Sequence, residues 1–173
     1  MTPRFWIPAL SFVGLAGLLA VANWPAPKLP DGSEADSLLV RKRDRVLQLF
    51  ADGRIARTYA IALGRVPVGP KTQEGDQRTP EGLYRIDFRL RASAFHRALH
   101  ISYPDSADRA AAQVRRVNPG GAIMIHGLRN GLGWLGRLHR RVDWTSGCVA
   151  VTNPEIDELW RVVADGTPIR ILP

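Results

Sequence analysis

The sequence predicts an α+β domain, mainly β, behind an N-terminal hydrophobic helix. Three observations carry that prediction: short runs rich in β-branched and aromatic residues separated by turn residues, apolar–polar alternation over residues 83–88, and only two later segments with a capped helical pattern. With 173 residues there is room for one domain with a sizeable core, but not comfortably for two.

The elements follow in chain order. After Met1, Thr2, Pro3 and Arg4, residues 5–24 carry no charge and are mostly apolar, which is a basic n-region followed by a hydrophobic h-region. Ala20, Val21 and Ala22 have the small-x-small form of a cleavage site. The run is also long enough for a retained anchor, at about 1.5 Å per helical residue against a hydrocarbon core of about 30 Å, with Trp24 suited to the interface. Residues 1–24 are therefore expected to be a signal peptide or signal anchor. Residues 25–37, with Pro25, Pro27 and Pro30, read as an extended linker that spaces the domain off the membrane. Residues 38–173 form the domain proper, located in the periplasm or cell envelope, with the cytoplasmic membrane as a partner through the N-terminal segment.

Export bears on charge and on cysteine. A net charge of +8, from 24 Lys and Arg against 16 Asp and Glu, favours an anionic partner: nucleic acid, lipid headgroups or a carboxylate-rich polymer. An exported chain has no use for the first. Cys148 is the single cysteine, so it cannot form an intramolecular disulfide; it is a buried residue, an intermolecular partner or a working thiol.

Within the domain, strands are expected at residues 38–42, 46–50 and 55–63, with Asp52 and Gly53 supplying a tight antiparallel hairpin. Residues 64–82 form a long polar loop rich in Gly and Pro, functional or mobile by its length. Strands follow at 83–88 and 99–103, the second stopped by Pro104. Residues 107–114 are helical, with Asp105 or Ser106 as N-cap. Residues 118–121 turn the chain, and residues 123–125 form a short buried strand that delivers His126 to its end. In the next segment Gly131, Gly133 and Gly136 weaken a helical spacing of Leu132, Leu135 and Leu138 by up to about 1 kcal/mol each, so a loop with one or two helical turns is expected. A clear helix opens with Asn153 as N-cap and Pro154 at N1, puts Ile156, Leu159, Trp160 and Val163 on one face and ends at Gly166. Residues 168–172 close as a strand.

His126 and Cys148 are the chemical centre. A thiol of pKa about 8.5 is only a few per cent thiolate at neutral pH, so a cysteine nucleophile needs a depressed pKa or an adjacent base. His126 is placed to take its proton and return it to a leaving amine. The amides of Ser146, Gly147 and Cys148, in a turn permitted by Gly147, are candidate oxyanion donors, and losing one such donor typically costs about 3 kcal/mol. Thr145 would steady that turn. Each assignment has a structural rival: Cys148 beside Val149, Ala150 and Val151 as a small buried hydrophobe, and His126 as a hydrogen-bonded strand-end residue. His139 competes as base but lies among Arg137, Arg140 and Arg141, where a solvated surface is the default. His96 and His100 read as scaffold or outer cleft.

The order Gly75-Asp76-Gln77-Arg78-Thr79-Pro80-Glu81-Gly82, then Ser102-Tyr103-Pro104, Ile125-His126-Gly127 and Thr145-Ser146-Gly147-Cys148-Val149 resembles the YkuD-type L,D-transpeptidases, over residues 38–172. The resemblance implies a mixed β-sandwich with short helices. It implies a peptidoglycan-remodelling enzyme in which Cys148 is acylated by a stem peptide with release of D-Ala, and in which the Gly127 carbonyl orients His126. Candidate substrate residues are Thr145, Tyr103 as a packing residue at the cleft edge, and Arg129, which with Arg137, Arg140 and Arg141 either binds the carboxylates of a stem peptide or forms a soluble basic face. Two positions depart from the common pattern: Ser146 stands where His is usual before Gly-Cys, and Ala150 where Arg or Asn is usual after it. The version here is more similar to a branch with Asp-Trp-Thr-x-Gly-Cys that includes hydrolases cutting a lipoprotein from the wall. A hydrolase acting on a wall-linked lipoprotein or stem peptide, an ordinary cysteine peptidase and a non-catalytic peptidoglycan-binding domain therefore remain alternatives. No cofactor is expected, and no metal: a zinc site from His126, His139 and Cys148 lacks the close ligand pairs such sites use.

Overall fold

The structure, a computed structural model, describes residues 7–173; residues 1–6, with the basic n-region, lie outside the described residues. Helix α1 covers Ile7–Ala22, and its 16 residues span about 24 Å at 1.5 Å each. Among the described residues no helix is long and apolar enough to cross a membrane.

Residues 25–37 do not hold the domain at a distance as an extended linker would. Leu29 is buried in the core, its amide donates to Glu158 at 2.7 Å, and Arg57 and Arg161 donate to the Pro27 and Leu29 carbonyls. An apolar side chain and a run of satisfied backbone groups thus lay this stretch along the domain surface.

The strands are β1 (Ser37–Arg41), β2 (Val46–Ala51), β3 (Arg54–Ala60), β4 (Gly82–Ser93), β5 (His96–Ile101), β6 (Met124–His126), β7 (Val149–Ala150) and β8 (Pro168–Leu172). They form one eight-stranded sheet in the order β3-β2-β1-β8-β4-β5-β6-β7. The β2–β3 hairpin turns at Asp52 and Gly53, both with positive φ, as the Asp-Gly pair requires. β8 inserts beside β1 in parallel and beside β4 antiparallel.

The 12-residue strand β4 makes the sandwich out of a single sheet. Gly82 to Arg85 pair with β8, and Ile86 to Ser93 pair with β5 across two register shifts, so one strand passes from the first half to the second. Isolated bridges Ala62–Ala150 and Gly64–Thr145 then join the chain after β3 to the β7 side. The two edges meet, and both halves contribute to one core cluster that includes Val40, Leu47, Leu49, Ile86, Leu99, Ile101, Ile125 and Val149.

Helix α2 (Ser106–Arg115) is capped by Asp105, which accepts from the Asp108 amide. Helix α3 (Asn153–Val162) is capped by Thr152 rather than Asn153, with the Glu155 carboxylate accepting from the Thr152 amide at 2.9 Å. Ile156, Leu159 and Val162 face the core. Gly133–Arg141 is a 3-10 segment kinked at Gly136 (φ 48°, ψ −133°).

Candidate active site

β6 and β7 run parallel, with Ile125 opposite Val149 and His126 opposite Ala150. Cys148 immediately precedes β7. His126 therefore shares a face with Ala150, and Cys148 stands two residues before Ala150 at the start of the neighbouring strand.

His126 is 5% exposed, and its Nδ1 lies 2.6 Å from the Gly127 carbonyl oxygen. A carbonyl only accepts, so Nδ1 carries the proton and Nε2 keeps its lone pair. Burial lowers the His126 pKa, with the Gly127 bond opposing. Space at Gly127 is tight: a Cβ there would lie 2.6 Å from Asn153 Oδ1, 3.1 Å from Ile156 and 3.2 Å from the Phe95 carbonyl oxygen, so it would displace the Asn153 side chain. Asn153 Oδ1 in turn accepts from the Leu128 amide at 2.8 Å. The Asn read as a helix cap thus fastens the His-Gly strand end to α3.

The Cys148 thiol is partly exposed and donates to the Ala122 carbonyl at 3.6 Å. Burial pushes its pKa up, opposed by the Met124 backbone N–H and the Lys71 charge. With the thiol raised and the imidazole lowered, burial favours the neutral form of both groups.

The loop before Cys148 is held at several points. Thr145, 4% exposed, donates its hydroxyl to the Cys148 carbonyl at 2.8 Å and accepts from the Gly147 amide at 3.1 Å. Asp143 accepts from the Leu63 amide and from Arg45. Gly147 has φ 130°, and a Cβ would lie 2.6 Å from the Arg78 carbonyl oxygen, which explains the glycine there. Ser146 is exposed.

Not every expected residue reaches the site. The Thr145 hydroxyl is buried and doubly bonded within the loop, which makes it a holder of the turn and not a substrate contact. Tyr103 is a core residue, 3% exposed, with its hydroxyl donated to the Pro119 carbonyl and its ring edge-on to Tyr84. Arg129 is exposed on the loop after Gly127. Lys71, on the long loop, is buried and bonded to Asp76 and the Gln73 carbonyl, and its charge does act on the Cys148 thiol. His139 is not a solvated surface residue: it is 7% exposed and accepts the Trp144 indole N–H on Nδ1 at 3.2 Å. Phe95 and Trp144 pack on His126, with centroids 4.6 and 5.7 Å away. Neither aromatic residue carried a role in the sequence reading; Trp144, two residues after Val142 and beside Thr145, offered a signal only by its place in the Cys148 motif. Among the described residues no group of three or more His, Cys, Asp or Glu is arranged to hold a metal ion.

Residues 35–171 match the L,D-transpeptidase catalytic domain, YkuD. YafK of Escherichia coli (strain K12) is 28% identical over 166 residues, which cover 91% of this chain and 59% of YafK. The chain therefore spans about three fifths of that curated relative. Among solved structures, the helical cell shape determining protein Pgp2 from Campylobacter jejuni superposes with a TM-score of 0.63 at 24% identity, over 90% of this chain and 54% of Pgp2. Bdellovibrio bacteriovorus Bd1075 does so with a TM-score of 0.57 at 24% identity, over 84% of this chain and 50% of Bd1075. The chain belongs to the YkuD L,D-transpeptidase family, and the solved structures share its fold.

Proposed function

We propose that this L,D-transpeptidase family member is a cell-envelope acyltransferase that acts on peptidoglycan stem peptides through a Cys148 thioester. The observation that supports it most is the tautomer of His126: Nδ1 is bound to the Gly127 carbonyl, which leaves a basic Nε2 at the end of β6, paired with the strand that Cys148 immediately precedes. In this reading Nε2 takes the thiol proton as Sγ attacks the carbonyl carbon of the third stem residue. The Gly147 amide is engaged by Thr145, so the Ser146 and Cys148 amides are the oxyanion donors. The C–N bond to D-Ala breaks, His126 protonates the departing amine, and an acceptor amine then attacks the thioester. Arg129, exposed beside the His-Gly strand end, is the proposed contact for a stem carboxylate.

A second reading replaces the amine with water. Ala150 is wholly buried on β7, so the position two residues after the nucleophile offers only a buried methyl and no polar group to hold an acceptor, which favours hydrolysis of a wall-linked lipoprotein or stem peptide. Export into the periplasm, with α1 as its membrane-directed segment, belongs to the proposal and accords with the apolar N-terminus and the basic charge.

The test incubates wild type and Cys148→Ala with disaccharide tetrapeptide and follows protein mass and muropeptide products. The expected result is a Cys148 adduct with loss of D-Ala, giving a 3-3 dimer for transfer or tripeptide for hydrolysis, all absent from Cys148→Ala. Full activity in Cys148→Ala would overturn the proposal.

A further inference from the structure

The base has a packed support that the acyl-transfer chemistry above does not use. His126 sits between two aromatic rings. Phe95 tilts against it at 4.6 Å and 42°, and Trp144 meets it near edge-on at 5.7 Å and 67°. These two rings also contact each other at 6.0 Å. The indole is held from behind, since its N–H donates to His139 Nδ1, and the His139 ring stands edge-on to it at 6.2 Å. An imidazole beside an aromatic face has a shallow rotational preference, so a bond that fixes the indole also fixes the wall against which His126 turns.

We propose that His139 and Trp144 are positioning residues for the base: His139 accepts the indole N–H, Trp144 is thereby locked against His126, and the His126 ring is kept with Nδ1 on the Gly127 carbonyl and Nε2 available to Cys148. The inference rests on the catalytic reading of His126 and Cys148. The bond also fixes the His139 tautomer: Nδ1 accepts, so the neutral ring carries its proton on Nε2, an atom that is buried without a hydrogen-bond partner. The charged groups around His139 are Arg140 and Glu155, which pair with each other, and the nearby titratable ring is His126. Protonation of His139 would remove the lone pair that holds the indole, so the relay works only with the neutral ring.

Cys148 is the single cysteine, so alkylation by iodoacetamide, followed by intact mass across the acid and neutral range, reports on this pair alone. Full-chain His139→Ala and Trp144→Phe are each expected to slow alkylation at neutral pH by about tenfold, the scale of a misplaced reacting group, and the double variant to be no slower than either. His139→Gln, whose amide oxygen can accept the indole N–H, restores most of the rate. In nitrogen-15 spectra the His126 signals move from a pure Nδ1–H tautomer toward a mixture in His139→Ala and return in His139→Gln. A variant with lost packing alone would show no such recovery. Wild-type rates and tautomer in His139→Ala and Trp144→Phe, or equal loss in His139→Ala and His139→Gln, overturn the relay. His126→Ala separates the two ideas: if it slows alkylation while Trp144→Phe does not, the relay fails and the base stands, and if it has no effect, both fail.

Discussion

His139 is neutral at neutral pH because burial and the neighbouring Arg140 bring its pKa down to about 4, with Glu155 opposing. In the unfolded chain the same imidazole titrates near 6.5. As pH falls through 6.5 the unfolded state takes up a proton that the folded state refuses, so stability present above 6.5 is lost progressively down to about 4 and no further below it. That interval corresponds to a loss on the order of 3 kcal/mol, and His126, also lowered by burial, adds to it in the same direction. Denaturant melts at a series of pH values are expected to show this slope, and His139→Gln to flatten much of it. The sequence concealed His139 because Arg137, Arg140 and Arg141 suggest solvent on all sides. The kink at Gly136 and the pairing of Arg140 with Glu155 turn the ring inward instead. The His126–Gly127 contact is legible because a strand end followed by a glycine constrains the backbone directly. For Thr145 and Tyr103 the sequence does not say which way a hydroxyl points, and both hydroxyls bond to backbone carbonyls.

At the scale of elements, the sequence is legible where the physics is local. The Asp-Gly hairpin, the Asp105 cap and the apolar face of α3 all depend on neighbours within a few residues. The β4 extension through Arg89 to Ser93 has no clear sequence signal, because its outer residues alternate poorly and are mostly exposed; its pairing with β5, not its own pattern, makes it a strand. The long loop shows the same limit. Its length suggested function or mobility, yet it is pinned by Lys42, which is 2% exposed and donates to the Gly69 and Thr79 carbonyls and to Glu81 at 2.6, 3.0 and 2.7 Å. Removing the cation leaves a largely buried carboxylate and two carbonyls without their donor. Lys42→Met is therefore expected to destabilise the protein by about 3–5 kcal/mol and to expose residues 64–82 to limited proteolysis. The double variant Lys42→Met with Glu81→Leu should recover part of the loss, and chemical denaturation of the four proteins measures how much.

Across the whole molecule, the closure of the sheet and the placement of the nucleophile use the same residues. β1 and β8 pair in parallel although Pro168 lies 131 positions after Ser37 (about the full domain), and such non-local pairing has no trace in a local hydrophobic pattern. The seam where the two edges meet is equally non-local: Gly64 bridges Thr145, Arg65 donates to the Thr145 carbonyl, and Leu63 accepts from the Thr145 amide. A Cβ on Gly64 would overlap the Gln77 carbonyl oxygen and stand 3.1 Å from the Gly147 Cα. Backbone on both sides cannot yield as a flexible side chain would, so Gly64→Ala must part the long loop from the Cys148 loop or shift both. A cost of about 1–3 kcal/mol is expected from the overpacking, together with slower Cys148 alkylation per folded molecule well below the melting temperature. Ile171→Ala is the matched control. Ile171 is buried on β8 between β1 and β4, so its truncation should cost about 2–5 kcal/mol and leave thiol reactivity of the folded fraction unchanged. Wild-type alkylation in Gly64→Ala would mean that the seam closes the sheet without holding the nucleophile; slowed alkylation in both variants would mean that reactivity follows stability alone.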